Sequence, residues 1–156
     1  NTSVSFDLGE GVDKLNLDRV VVLTTGSSCS ASELVINSLT PYVDVVTIGN
    51  NTCGKPVGMY PQEMCDHVVF AINFDTLNGA NIGEYYDGLP VDCEIDDAVT
   101  GDWGVESDPL LKEGMYYLEN NSCSPTVSGK SAKGKLKKTA AKVDFRQGPV
   151  KAKRLL

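Results

Sequence analysis

Val20-Val-Val-Leu-Thr-Thr-Gly-Ser-Ser-Cys-Ser-Ala-Ser-Glu33, followed by a short amphipathic stretch to Leu39 and then by Val43-Asp-Val-Val-Thr-Ile48, carries the architecture of this chain. Val20 to Thr24 is β-branched and apolar, as a buried strand requires. Gly26-Ser27-Ser28 turns the chain. Ser30 to Leu39 reads as a helix with Leu34, Val35 and Ser38 on one face, stopped by Pro41. Val43 to Ile48 is a second strand, closed by Gly49-Asn50-Asn51. Strand, helix and strand in this order predict a parallel pair with a right-handed crossover.

Outward from that unit, His67 to Phe74 predicts a third strand and Asn78-Gly79 a turn. Residues 84–107 are acidic and loop-like, with a short strand expected within Val91 to Ile95. Asp108-Pro109 predicts the start of a last helix, Asp as N-cap and Pro at the first helical position. Leu110, Leu111, Met115 and Leu118 give that helix its apolar stripe. The fold class is therefore α/β, a strand–helix–strand core with a parallel sheet, additional strands, a C-terminal helix and a disordered basic tail. The chain divides into a body over 1–121 and a flexible extension over 122–156 rich in Lys, Ser, Gly and Ala.

The charge follows the same division. The 156 residues carry a net −7. Residues 1–126 hold twenty acidic and four basic side chains, whereas residues 127–156 hold ten basic ones and a single acid, Asp144. The basic segment has one aromatic, Phe145, so it offers no base-stacking platform, and no nucleic-acid partner is expected. No apolar run approaches the ~20 residues of a membrane-spanning helix. The first residues have neither the basic nor the apolar region of a signal peptide, so either the protein is cytoplasmic or its leader lies upstream. The five cysteines lack any C-x-x-C pair and there is one histidine, so a zinc site is not expected. One or two disulfides fit an exported protein, but spacing alone does not pair them. His67 has no partner spaced for catalysis or metal, and the acids from Asp92 to Asp108 lack calcium-loop spacing.

Two polar clusters remain. Thr24 to Glu33 lies between a strand end and a helix start, where a serine is either a plain N-cap or a nucleophile beside unpaired N–H groups able to hold an oxyanion. Gly49 to Lys55 follows the second strand and fits G-x-x-x-x-G-K, but Pro56 stands where a P-loop needs Ser or Thr, and the residues after it are not helical. Nucleotide binding is therefore the weaker alternative. Parallel strands joined by one crossover put both clusters at the carboxyl edge of the sheet, where open α/β sites lie. A serine beside a lysine there suggests a Ser–Lys dyad. The lysine must lose its proton to act as base, which desolvation away from carboxylates favours, and Thr52 to Val57 contains no acid.

On these motifs the chain resembles the C-terminal processing, or tail-specific, serine peptidases. Ser28-Cys29-Ser30-Ala31-Ser32-Glu33 is similar to the family's G-S-A-S-A-S-E, with Cys29 in place of Ala. Thr52-Cys53-Gly54-Lys55 is similar to T-F-G-K, and Lys55 follows Ser30 by the family's 25 residues. Tyr85 to Asp92 is similar to the G-x-x-P-D segment and Asp108-Pro-Leu-Leu to the closing helix. The resemblance implies Ser30 as nucleophile, Lys55 as general base and the Ala31 N–H as an oxyanion donor, with a polypeptide substrate and no cofactor. Ser32 and Glu33 read as helix-start residues. Met59, Pro41 and Pro56 depart from the family's Gln, Asp and Gly. Gly54-Lys-Pro-Val-Gly58 is similar to the envelope-lipoprotein branch, which implies a periplasmic or envelope location. The family's second oxyanion donor, in a D-L-R-x-N-x-G-G segment, is expected upstream, so this chain reads as the C-terminal part of a longer enzyme, and as an isolated piece it is expected to be inactive. A non-catalytic relative that binds peptides in the same groove is the first alternative.

Overall fold

A computed structural model describes residues 2–4, 11, 13–98, 102, 104–129 and 150–154. In chain order the elements are β1 (Thr2–Val4), β2 (Arg19–Thr24), α1 (Ala31–Leu39), β3 (Asp44–Gly49), β4 (Val57–Gly58), β5 (Pro61–Met64), β6 (His67–Phe70), β7 (Phe74–Thr76), β8 (Cys93–Glu94), α2 (Pro109–Asn120), β9 (Ser128–Gly129) and β10 (Val150–Arg154).

The central sheet has the order β2-β3-β8-β9. β2 and β3 run parallel from Arg19↔Asp44 to Thr24↔Gly49, and β8 continues the parallel run beside Ile48 and Gly49. β9 closes it antiparallel. The strand–helix–strand unit and the short strand within Val91 to Ile95 are thus present, and the fold is mixed α/β with a parallel three-strand core. Alternation along the strands sends side chains to two layers. Val22 and Val45 pack with Ile36 of α1, Tyr85 and Leu89 on one side. Val21, Val46 and Ile48 pack with Cys93, Tyr117, Cys123 and Val127 on the other. Each fully buried side chain of this size contributes roughly 1.5–3 kcal/mol.

Both helices bury only part of the face predicted for them: Ser38 and Leu110 turn inward as expected, but Val35, Met115 and Leu118 do not. α1 buries Glu33, Ile36, Asn37 and Ser38, while Val35 is exposed. The inward polar groups are bonded: Asn37 Nδ2 donates to the Ile82 carbonyl, and the buried Asn78 donates to Asn37 Oδ1 at 3.1 Å. α2 has Asp108 as N-cap, its Oδ1 accepting from Leu111 N at 2.8 Å, and Pro109 in the first turn. It buries Leu110, Glu113 and Gly114, leaving Met115 and Leu118 about half exposed. A Cβ on Gly114 would lie 3.3 Å from Leu23 Cδ2, so the missing side chain lets α2 lie close on β2 and sets the helix rotation.

The remaining strands form a second sheet, β1-β10-β7-β4, and an antiparallel hairpin, β5-β6. The predicted strand His67 to Phe74 is split: His67–Phe70 pairs with Pro61–Met64, and Phe74–Thr76 belongs to the second sheet. The hairpin turns on Cys65-Asp66, with Cys65 at φ 52°, and exposes Met64, Val68, Val69 and Phe70. Just past the boundary drawn at 121, Cys123 is disulfide-bonded to Cys93 and Val127 packs on the core. Of the extension, residues 130–149 and 155–156 lie outside the described residues. Among the described residues no helix is long and apolar enough to cross a membrane.

Candidate active site

β2 ends at Thr24 and β3 at Gly49, in register, so the loops that follow leave the same edge of the sheet. Thr24 Oγ1 donates to the Asn50 carbonyl at 2.9 Å and Asn50 N–H to the Thr24 carbonyl at 3.0 Å, which sends the two loops off side by side. Ser30 ends the first loop as the N-cap of α1. Its backbone has φ 55° and ψ −106°, a region that residues with a Cβ seldom occupy. Such a conformation persists only when the surroundings hold it, and it costs about 1–3 kcal/mol.

What holds it is Glu33. This carboxylate is fully buried. Oε2 accepts from Ser30 N at 2.9 Å and from Lys55 N at 2.8 Å. Oε1 accepts from Gly54 N at 2.7 Å and from Thr52 Oγ1 at 2.5 Å. One oxygen therefore binds the main chain of both candidate catalytic residues, which places their nitrogens within two hydrogen-bond lengths of each other. Burial opposes ionisation of Glu33, but the Thr52 hydroxyl and the N–H groups of Lys55, Gly54 and Ser30 outweigh it and hold the pKa below the ordinary glutamate value.

Two further contacts join the loops, and two more tie the lysine loop to a neighbouring segment. Cys53 N donates to the Ser28 carbonyl at 3.0 Å. Cys29 and Cys53 form a disulfide, with Cα atoms 5.3 Å apart. From the far side, Leu89 N donates to Thr52 Oγ1 at 2.7 Å and Thr52 N to the Leu89 carbonyl at 3.1 Å, so the segment from Tyr85 to Leu89 supports the lysine loop. Gly54, at φ 84°, meets that segment: a Cβ there would lie 2.1 Å from the Tyr86 carbonyl oxygen. Burial raises the pKa of Tyr85, whose hydroxyl pairs with Thr76 and which also feels the Glu33 charge.

The structure thus brings Ser30, Ala31 and Lys55 to one edge. Ala31 is the first residue of α1, where a backbone N–H has no acceptor within the helix. Lys55 is half-buried, and among the described residues no carboxylate forms an ion pair with it. The Ser30 hydroxyl and the Lys55 amine make no hydrogen bond to each other among the described residues. One expectation is corrected and another extended. The lysine loop is free of acids in sequence but not in space, because Glu33 reaches it. Glu33 is more than a helix-start residue: the S-x-x-E spacing signals its bond back to Ser30, while its grip on Thr52, Gly54 and Lys55 has no local signal.

The G-x-x-x-x-G-K stretch holds an anion, but that anion is the protein's own. The N–H groups of Gly54 and Lys55 are taken by Glu33, and the extended β4 follows in place of a helix. No phosphate cradle is formed. Cys93, Glu113 and Cys123 bring ligand atoms within 4.8 Å of one another, yet both sulfurs are bonded to each other and Glu113 accepts from Ser124 N at 2.8 Å.

No protein-family model matches the chain, and no curated protein does. A solved structure does: the "Putative S41 protease from Bacteroides fragilis" is 28% identical, with a TM-score of 0.59 over 69% of this chain. This chain spans 29% of that one's length.

Proposed function

We propose that this chain carries the nucleophile and the general base of a serine peptidase of the C-terminal processing type, acting on polypeptides near their C-termini. The observation that supports it above all is the shared Glu33 oxygen, which fixes Ser30 and Lys55 side by side at the carboxyl edge. Ser30 Oγ attacks the scissile carbonyl as Lys55 takes its proton, and the oxyanion forms at the Ala31 N–H. Lys55 then protonates the leaving amine. Water, deprotonated by Lys55, hydrolyses the acyl-enzyme and restores the serine.

The unusual Ser30 backbone fits this role, since a nucleophile on a sharp strand-to-helix turn presents its side chain at the sheet edge. Two disulfides among the described residues suit an oxidising compartment, and we place the protein in the periplasm or envelope. The test is hydrolysis of an unfolded polypeptide by the full-length protein and its Ser30→Ala and Lys55→Ala variants. Loss of activity in both, with folding intact, is expected. Unchanged turnover in either removes that residue from the mechanism.

The missing hydrogen bond between the Ser30 hydroxyl and the Lys55 amine favours a second reading, a relative that binds peptides without cleaving them. That reading expects peptide binding without hydrolysis, unaffected by Ser30→Ala.

A further inference from the structure

Cys29 and Cys53 have no part in the chemistry just described, yet they flank it. Cys29 immediately precedes Ser30, and Cys53 lies two residues before Lys55. Their disulfide is the one covalent link among the described residues between the nucleophile turn and the lysine loop. Everything else that joins those loops is a hydrogen bond: Cys53 N to the Ser28 carbonyl, and the donors gathered on Glu33. The turn it braces is the one in which Ser30 sits at φ 55°. A strained turn relaxes when its constraints are removed, and relaxation here moves the serine relative to the lysine.

One end of the bond is at the surface: Cys53 is exposed and Cys29 half-buried, whereas in the other disulfide Cys93 is completely buried and Cys123 half-buried. Thiol–disulfide exchange requires access to one sulfur, and the exposed residue Cys53 is the side from which an attacking thiolate approaches this bond.

We propose that the Cys29–Cys53 disulfide is a positioning cross-link for the Ser30–Lys55 pair, so that turnover depends on this bond and falls when a dithiol reductant opens it. This rests on the peptidase reading. In the exchange, one thiolate of the dithiol attacks Cys53 Sγ, the sulfur–sulfur bond breaks, and Cys29 leaves as a thiolate that takes a proton. The second thiol of the reductant then attacks the mixed disulfide and frees Cys53. Two electrons and two protons pass to the protein, and the dithiol is oxidised to its cyclic disulfide. Reoxidation reverses the change.

The experiment uses the full-length protein with fluorescein-labelled casein as substrate, with and without dithiothreitol, in a Cys65→Ser background that removes the free thiol. The oxidised protein is expected to lose at least tenfold in kcat on reduction, with KM within about twofold, and to recover on reoxidation. Cys29→Ala/Cys53→Ala should start at the reduced rate and ignore the reductant, while Cys93→Ala/Cys123→Ala should keep the sensitivity. In the same samples, hydrogen exchange at the Gly54 and Lys55 amides should rise at least tenfold when the bond is absent. Equal kcat with and without the bond overturns the proposal, and so does unchanged amide exchange, whatever the activity. Ser30→Ala separates the two readings. Activity that survives it removes the peptidase site itself, whereas activity lost with Ser30→Ala but indifferent to the Cys29–Cys53 bond overturns the cross-link alone.

Discussion

The two disulfides close chain separations of 24 and 30 residues, so loop-closure entropy assigns them nearly the same stabilisation, about 3–4 kcal/mol each. Their surroundings differ. Cys93–Cys123 belongs to the cluster of Val46 and Ile48 and ties β8 to the chain leaving α2. Cys29–Cys53 contributes nothing to either hydrophobic cluster. It spans two loops beyond the strand ends, over the place where Glu33 binds both main chains. Bonds of equal entropic worth thus serve different ends: one secures packing, the other geometry. The comparison predicts that stability and activity separate by region.

The largest expected effect is at Glu33. Glu33→Ala leaves the N–H groups of Ser30, Gly54 and Lys55 and the Thr52 hydroxyl without their acceptor, a loss on the order of 4 kcal/mol in urea denaturation, and turnover of the folded fraction should fall with it. A cost under ~1 kcal/mol would mean that the edge is held by something else. Next comes Cys93→Ala/Cys123→Ala, which should lose about 3–4 kcal/mol while kcat of the folded protein stays within twofold. If this variant loses turnover as well, the proposed division between core and edge is wrong.

A smaller effect distinguishes the edge by pH. The Glu33 pKa is lowered in the folded state, so its contribution is fully present above the unfolded glutamate value of ~4.3 and is lost as pH falls through the lower folded value. Stability of the native chain should therefore decline on that acid side, and Glu33→Gln should flatten this part of the profile. An unchanged profile in Glu33→Gln would assign the acid sensitivity to other carboxylates. The smallest effect is at Ser30. Glycine tolerates the φ of 55°, so Ser30→Gly should gain about 1 kcal/mol in stability while abolishing activity, and Ser30→Ala should not gain.

How much of this was legible in the sequence follows the range of the forces involved. β2, α1 and β3 were readable because β-branched runs, a serine-rich turn and Pro41 act within a few residues. Ser30 and Lys55 could be placed together because parallel strands with one crossover admit a single arrangement of their ends. The helix faces were readable only in part: Ser38 and Leu110 are buried as expected. Apolar periodicity assigns Val35, Met115 and Leu118 inward, but Glu33 and Asn37 are buried by partners distant in sequence, and Gly114 rotates α2 by what it lacks. The β5-β6 hairpin turns on Cys65-Asp66, which carries none of the glycine or asparagine that usually marks such a turn. The disulfide pairing and the second role of Glu33 depend on contacts across about twenty residues, for which composition has no signal.

The central claim is that Ser30 and Lys55, fixed by one carboxylate, act as nucleophile and base. Its most direct measurement is intact mass of the full-length protein after exposure to a fluorophosphonate, with modification located by peptide sequencing. The account predicts a single phosphonyl adduct on Ser30, formed slowly or not at all in Lys55→Ala and Lys55→Arg, because neither side chain can take up the serine proton. An adduct on another serine, or one formed on Ser30 at the same rate in Lys55→Arg, would contradict it.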